Sequence, residues 1–319
     1  MFFKKLTAFF KGVLIFFIAM IITLIISLAA LFYGPYHGFR DVWVTTAMTT
    51  LSHKYLATWF FPQSTIDKIL ADNKVEDISE KMKMLLFREN HSKKMELIDI
   101  SRNGFKGWLL KVPDPSKIKL AVSKDLGKNG EDIVSMAQRG GYAAAINAGG
   151  FADPNGKGNG GHPYGLVIQD SNYLCAKKGF SYNIIGFNKE DQLVIDKLTY
   201  DDVRAYGIRD AVSFGPTLIK NGKAAIIKGN GGWGIAPRTA IGQTADGTVL
   251  MLVIDGRQAS SIGASLKDVM NIMQEYGAVN AANLDGGSST TMYYQGKVIN
   301  SPCFKTGLRP VATAFVVKP

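Results

Sequence analysis

The stretch SLKDVMNIMQEYGAVNAANLDGGSSTTMYY, Ser265 to Tyr294, changes character three times. Its first half places Leu266, Val269, Met270, Ile272 and Met273 on one face of a helix, from Ser265 to Tyr276. Gly277 then offers the residue type that most easily adopts the left-handed conformation ending a helix. The next run, ending at Leu284, is short and apolar and reads as a buried strand. Asn283 to Met292 reverses the pattern again, with one carboxylate, two glycines and a row of hydroxyls before the strand-like TMYYQ. Helix, strand, polar corner, strand is the grammar of a mixed fold. A polar glycine corner standing alone is a solvated turn.

Working outward, the same alternation covers the chain from Met95 to Pro319. Short apolar runs such as GWLLKV, IKLAV, YAAAINA, YNIIGF, RTAIGQ, VLMLVID and ATAFVV are bounded by Gly, Asn, Asp and Pro. One further helix is expected from Glu131 to Arg139. Many strands with few helices predict an α+β fold, a sheet-rich single domain over residues 95–319. No repeat of fixed period and no low-complexity tract interrupts it.

The N-terminal third is different. Gly12 to Tyr33 is a charge-free apolar run in a chain of slightly positive mean hydropathy. A bilayer-spanning helix needs about 20 such residues, whereas the apolar region of a signal peptide has about 7–15. The length favours an uncleaved transmembrane anchor over a cleaved signal, with residues 1–33 as cytoplasmic tip and span. Lys4, Lys5 and Lys11 precede the span, so the positive-inside rule puts the N-terminus in the cytoplasm and the rest outside. Residues 34–94 read as a juxtamembrane stalk and linker. It contains a short helix after Ser64 and a charge-rich run from Lys74 to Lys94. His53 and His91 read as surface residues.

The net charge of +11 falls to +8 on residues 34–319, a balance that attracts polyanions. Outside a membrane these are phosphate-bearing polymers or anionic lipids; no nucleic-acid motif is present. A lysine-rich solvated face is the plainer explanation. The two cysteines, Cys175 and Cys303, are either a disulfide, which an exterior compartment permits, or two separate thiols. Neither lies in a metal-ligand spacing.

Three apolar strands deliver a polar residue at the C-terminal end and then turn on glycine: Asn147 in INAGGF, Asp255 in VIDGRQ and Asp285 in NLDGG. Side chains at the ends of rigid strands are suited to a site, and glycine admits close approach of a ligand.

Taken in order, INAGGF, PRTAIG, VIDGRQ and NLDGGSSTTM resemble the phosphodiester glycosidase family, over roughly Met95 to Pro319. Its animal members remove N-acetylglucosamine from a phosphodiester linkage to mannose. The anchor and stalk look like those of membrane-attached members from Gram-positive bacteria. The resemblance implies an extracytoplasmic hydrolase that cleaves the glycosidic C–O bond of a sugar-1-phosphodiester, in cell-surface glycan or exopolysaccharide metabolism. It maps catalytic roles to Asp285, Asp255 and Arg238, and substrate contacts to Asn147, Gly150, Phe151, Thr239, Arg257, Asn283, Gly286, Gly287, Ser288, Ser289 and Thr290. Ser288 stands where many members have a third glycine. Arg309 follows Leu308 where members often have an acid, so its carry-over is weaker.

The chemistry agrees with the residues. A phosphodiester leaves as a stable anion, so charge stabilisation and a carboxylate matter more than a general acid. A guanidinium forks onto phosphate oxygens, a role open to Arg238. Consecutive N–H groups of a glycine turn make an anion-binding concavity. Asp285 is the favoured catalytic carboxylate. His162, in GGHPYG, is either a proton donor or phosphate contact, or a loop histidine with one backbone hydrogen bond. Trp233 is a candidate sugar platform or an aromatic plug. No cofactor is required, and a calcium ion held by carboxylates and carbonyls stays open. The rivals are a serine hydrolase, for which the GxSxG elbow is absent, a metal-assisted phosphodiesterase cutting P–O, and a non-catalytic binder of phosphorylated glycans. Two aspartates in one cleft would argue against the binder, since like charge repels a polyanion.

Overall fold

The computed structural model of the chain describes residues 2–50, 52–83 and 94–319; His91 lies outside them. Among the described residues there are seven α-helices: α1 (Phe2–Tyr33), α2 (His37–Thr49), α3 (Tyr55–Thr58), α4 (Gln63–Asp72), α5 (Ile133–Gly140), α6 (Tyr200–Ala205) and α7 (Leu266–Glu275). The strands form three sheets of seven, five and five, and every pairing is antiparallel.

The large sheet has Val249–Ile254, Arg238–Thr244 and Ala278–Asn283 side by side near its centre. The Val249–Ile254 strand is buried on both faces, and its residues alternate between two cores. Val249, Met251 and Val253 face the central core, with Ile146, Phe187 and Phe315 from the two five-stranded sheets. Leu250, Leu252 and Ile254 face Val269, Met270 and Met273 of α7. The period of 2 in the strand and the apolar stripe of α7 thus explain a stack of helix, sheet, sheet and helix. On the far side α5 covers Ala145, Ala314 and Val316, and α6 places Val203 among Ile184, Val194 and Leu198.

The helix ends follow local chemistry. Ser265 accepts from Asp268 N–H while Asp268 returns a bond to the Ser265 backbone, and Gly277 follows at φ +80°. Asp132 caps α5 by accepting from Ser135 N–H, so that helix starts just after the expected Glu131. The reading from apolar runs missed α6, yet Thr199 and Asp202 form a capping box there that marks its start.

The stalk is folded. Phe32 at the end of α1 sits among Phe39, Trp43, Phe60 and Phe61, and Val44, Ile66 and Ile69 complete a separate small core. This helical cap sits on the loop GNGGWGI, residues 229–235. Ile235 N–H donates to Thr46 Oγ1, Asn230 Nδ2 to Thr45 Oγ1, and Thr49 Oγ1 to the Trp233 carbonyl. Charge alone read Lys74–Lys94 as a linker, but its described part lies against the domain. Glu76 N–H donates to Ala225, Lys220 Nζ to the Ile78 carbonyl, and Met82 enters the central core. Cys175 and Cys303 are both free thiols.

Gln243 stitches two sheets together. Its Oε1 accepts from Leu193 N–H at 2.7 Å, and its Nε2 donates to Asp191 and Gly247 carbonyls at 3.0 Å each. Gln243→Leu strands these groups in a dry seam and is expected to cost about 2–3 kcal/mol in urea unfolding. A loss under about 0.5 kcal/mol would show the seam to be wet.

Candidate active site

The corner after Asn283 is pinned on every side. Leu284 N–H donates to the Thr239 carbonyl, Asp285 N–H to Ala148, and Gly287 N–H to Pro237. The ends of three strands therefore fix the path of the turn. Gly286 lies so close to the Pro237 carbonyl that a Cβ would stand 2.8 Å from its oxygen. Gly287 has φ +61°, and a Cβ there would meet the Arg257 guanidinium at 3.3 Å. Gly286 is thus dictated by the backbone that lies against it, and Gly287 by its left-handed conformation.

Asn147 is fully buried at the end of its strand. Its Nδ2 donates to the Asp285 carbonyl, and its Oδ1 accepts from Thr239 Oγ1 at 2.8 Å and Thr291 N–H at 3.1 Å. The side chain is spent inside the protein and holds the turn from beneath. Thr239 is equally buried and also lies 3.3 Å from Thr290 Oγ1. Asn283 donates through Nδ2 to the Gly215 carbonyl, anchoring the segment beside the turn.

Asp285 lies at the centre. Burial pushes its carboxyl up to about 6, against a lowering by the Ser289 hydroxyl, the Arg309 guanidinium and the Gly286 N–H. The acid that adds to the rise is Asp153. Asp153 Oδ1 accepts from Gly158 N–H at 2.7 Å, and Oδ2 lies 2.6 Å from Arg309 Nη2. Arg309 Nη1 donates to Ser288 Oγ at 2.6 Å, and the guanidinium stands over the Phe151 ring at 4.8 Å. Ser288 and Ser289 thus divide: one faces Arg309, the other Asp285.

Asp255 is held differently. Its carboxylate accepts from Asn300 Nδ2 at 2.9 Å and from Ser301 N–H at 3.0 and 2.9 Å. Burial raises its pKa, and Asn300, Ser301 and Lys106 oppose that rise. Asn300 Nδ2 also donates to the Thr290 carbonyl, so Asp255 reaches the turn through Asn300. The expected carboxylate pair is Asp285 with Asp255; the acid whose charge Asp285 feels is Asp153.

Arg238 also turns inward. Nε donates to the Ala264 carbonyl at 3.0 Å, and Nη2 to Trp233 and Gly234 carbonyls at 2.9 and 2.7 Å. Burial, with the nearby Arg257, lowers its pKa to about 10. Arg257 is exposed, sits at φ +59°, and donates its backbone N–H to the Ile262 carbonyl, while its guanidinium makes no hydrogen bond or ion pair among the described residues. Its guanidinium over Gly287 is the group placed to meet an anion. His162 is exposed, and its carbonyl accepts from Ala152 N–H.

Beside the turn runs an open groove of about 440 Å³, lined by Tyr164, Tyr182, Asn183, Phe214, Pro216 and Trp233 among others. Gly150 makes room for the Phe214 ring in its wall, since a Cβ there would meet that ring at 2.6 Å. Trp233 packs edge-on to Phe214 at 6.2 Å and is 39 % exposed, so the indole is a wall and not a plug. Among the described residues, no group of three or more His, Cys, Asp or Glu is arranged for a metal ion.

Sequence reasoning missed Asp153, Asn300 and Phe214. Asp153 lies two residues past Phe151 and was legible only as part of a loop. Asn300 carries no motif of its own.

A sequence model of the phosphodiester glycosidase family matches residues 140–318. The SPbeta prophage-derived uncharacterized protein YomE of Bacillus subtilis (strain 168) is 31 % identical over 183 residues, which are 54 % of this chain and 27 % of that protein. The N-acetylglucosamine-1-phosphodiester alpha-N-acetylglucosaminidase of Bos taurus is 35 % identical over 68 residues, 21 % of this chain and 13 % of that enzyme. The chain thus covers about a quarter or less of the length of either relative. In fold it is similar to the zebrafish enzyme of that name, whose catalytic domain was solved auto-inhibited by its pro-peptide. The TM-score is 0.61 at 20 % identity, covering 73 % of this chain and 86 % of that one. A putative exported protein from Burkholderia pseudomallei K96243 gives 0.52 at 18 % identity, covering 67 % and 74 %.

Because folding raises the Asp285 pKa, its ionisation opposes folding: the stability present below about pH 4 declines as pH rises through about 6. Asp285→Asn, neutral throughout, is expected to unfold like the parent at pH 4 and to be about 2 kcal/mol more stable at pH 8. Denaturation at both pH values checks this; a variant less stable at pH 8 would contradict the strain assigned to the carboxylate.

Proposed function

The chain belongs to the phosphodiester glycosidase family, and from that premise we propose that it is a membrane-tethered hydrolase acting on sugar-1-phosphodiesters of cell-surface glycans outside the membrane. The observation that carries this reading is the half-buried Asp285 carboxyl, which desolvation pushes up to about 6 and Arg309 and Ser289 hold, set in a glycine turn under the unpaired Arg257 guanidinium. Such a carboxyl is ionised at neutral pH yet remains a better base than an ordinary aspartate. The membrane tether rests on the apolar helix Phe9–Tyr33 and on the lysines before it.

In this reading the sugar stacks along Trp233 and Tyr164, and the phosphate is held by Arg257. The Ser288 hydroxyl adds a donor: accepting from Arg309, it keeps its own proton to give. Asp285 takes a proton from water as the water oxygen bonds to C1. The C1–O bond breaks, and its electron pair leaves on the phosphate, already a stable anion. Arg309 and Ser289 hold the carboxylate, while Asn147, Thr239 and Asn300 hold the turn that carries it. Arg238 is a positioning residue, tying Trp233 and Gly234 to the same strand end. Asp255 fixes Asn300.

The assignment is tested by incubating the full chain with a sugar-1-phosphodiester and identifying products. Free sugar with a phosphomonoester is expected; sugar phosphate would mean P–O cleavage, and no turnover with tight retention would mean a binder. Asp285→Asn is expected to lower kcat by about 1,000-fold or more. The rate should rise with pH through about 6 and level off, following deprotonation of Asp285. Arg257→Ala is expected to raise KM about 10–100-fold with a smaller change in kcat, as loss of a charge-assisted phosphate contact requires. An unchanged KM would remove Arg257 from the phosphate site.

A further inference from the structure

The helical cap carries a second cavity that the reading above leaves unused. It measures about 390 Å³, and its surface is mostly apolar, from Phe39, Val42, Trp43 and Leu56 of the cap and Ile235 and Ile262 of the domain, with Thr46, Thr50 and His53 as its polar members. Its two ends differ in kind. At one end Phe39 stacks on Phe32, the penultimate residue of the apolar helix, and Trp43 packs tilted against it, which sets this end of the cavity beside the end of that helix. At the other end Ile262 is 59 % exposed, and its carbonyl accepts from Arg257 N–H at 3.1 Å. Ile235 follows Gly234, whose carbonyl is held by Arg238 at 2.7 Å. An apolar trough thus runs from the end of the apolar helix toward Arg257, whose free guanidinium stands beside the Asp285 turn.

That polarity fits one kind of ligand: a long apolar chain emerging from a bilayer and ending in a phosphate. We propose that the cavity binds the hydrocarbon chain of a sugar-1-phosphodiester whose second ester is a long-chain lipid alcohol. The chain lies along α2, the phosphate meets Arg257, and the sugar enters the Tyr164–Trp233 groove. The balance is that of the hydrolysis already described. Water's oxygen bonds to C1 and the C1–O bond breaks. One water proton stays on the sugar hydroxyl, the other passes to Asp285, and the lipid leaves as its phosphomonoester. The inference rests on the phosphodiester and membrane readings, and it deepens them by naming the aglycone. Continuity with the span and the exposed Arg257 guanidinium favour this amphiphile over a second protein, which would meet a cationic end with nothing to pair it.

The test uses the full chain in lipid nanodiscs and an octyl phosphate carrying a diazirine at its far end. Photolabelling mapped by mass spectrometry is expected on Phe39–Leu56 and near Ile262, competed by octyl phosphate but not by methyl phosphate. Val42→Trp, which fills the trough, and Ile262→Thr, a mild change at its exposed mouth, are each expected to reduce that label at least about 5-fold while label on α1 persists. Each methylene buried is worth about a 4-fold change in affinity. Octyl diesters of a turned-over sugar phosphate should therefore show a KM at least about 10-fold below the methyl diester, a preference that Val42→Trp abolishes. Label confined to α1, or label indifferent to both variants, overturns the proposal, whatever the turnover. Trough labelling with no turnover of either diester leaves the lipid site standing and sinks the glycosidase reading. Turnover with equal KM for both esters does the reverse.

Discussion

The structure of the site depends on one buried amide. Asn147 ends the central strand of a five-stranded sheet, and it bonds Thr239 of the large sheet and both sides of the Asp285 turn. A primary amide presents donor and acceptor at a fixed angle, so it can join three segments that have no regular pairing with one another. In a dry setting each of these bonds is expensive to leave unmade. The turn that carries Asp285 is therefore held by the two sheets closing on each other, and not by its own local chemistry. That is why a run of glycines and hydroxyls can stand in one conformation.

The carboxylates show how burial sorts residues that look alike in sequence. Asp255 and Asp285 both end apolar strands and both precede glycine. Asp255 receives Asn300 and the Ser301 N–H, and becomes a fixed strut. Asp285 stays half-buried in the turn, feels the charge of Asp153 and is balanced by Arg309, and so stays within reach of a proton near neutrality. The two arginines of PRTAIG and VIDGRQ divide in the same way. Arg238 is consumed by three backbone carbonyls, and Arg257 is left facing solvent above Gly287.

The helical cap adds a mechanical link. Thr45, Thr46 and Thr49 of α2 hold the loop that carries Trp233, and Arg238 holds the same loop from the other side. The helical cap and the site thus share one short segment. Glycines at 229, 231, 232 and 234 all have positive φ, a path that only such residues follow easily.

Much of the architecture was legible in the residues because it rests on local rules. The stripe on α7, its capping box, the two-sided apolar strands and the unbroken apolar helix near the N-terminus are short-range patterns that survive in any surroundings. The glycine corner and the strand ends bearing Asn147, Asp255 and Asp285 were legible for the same reason. Tertiary structure alone decided which side chains face the cleft. Orientation at a strand end depends on what the neighbouring sheet offers, and that neighbour lies as far off in sequence as Asn147 from Asp285. Arg309 against Asp153, Asn300 under the turn, and the charge-rich 74–83 segment laid on the domain are all contacts of this long-range kind. Sequence determined the elements and the chemical types at their ends; packing of one sheet on another chose among those types, because desolvation and hydrogen bonding are settled only when the partner surface is in place.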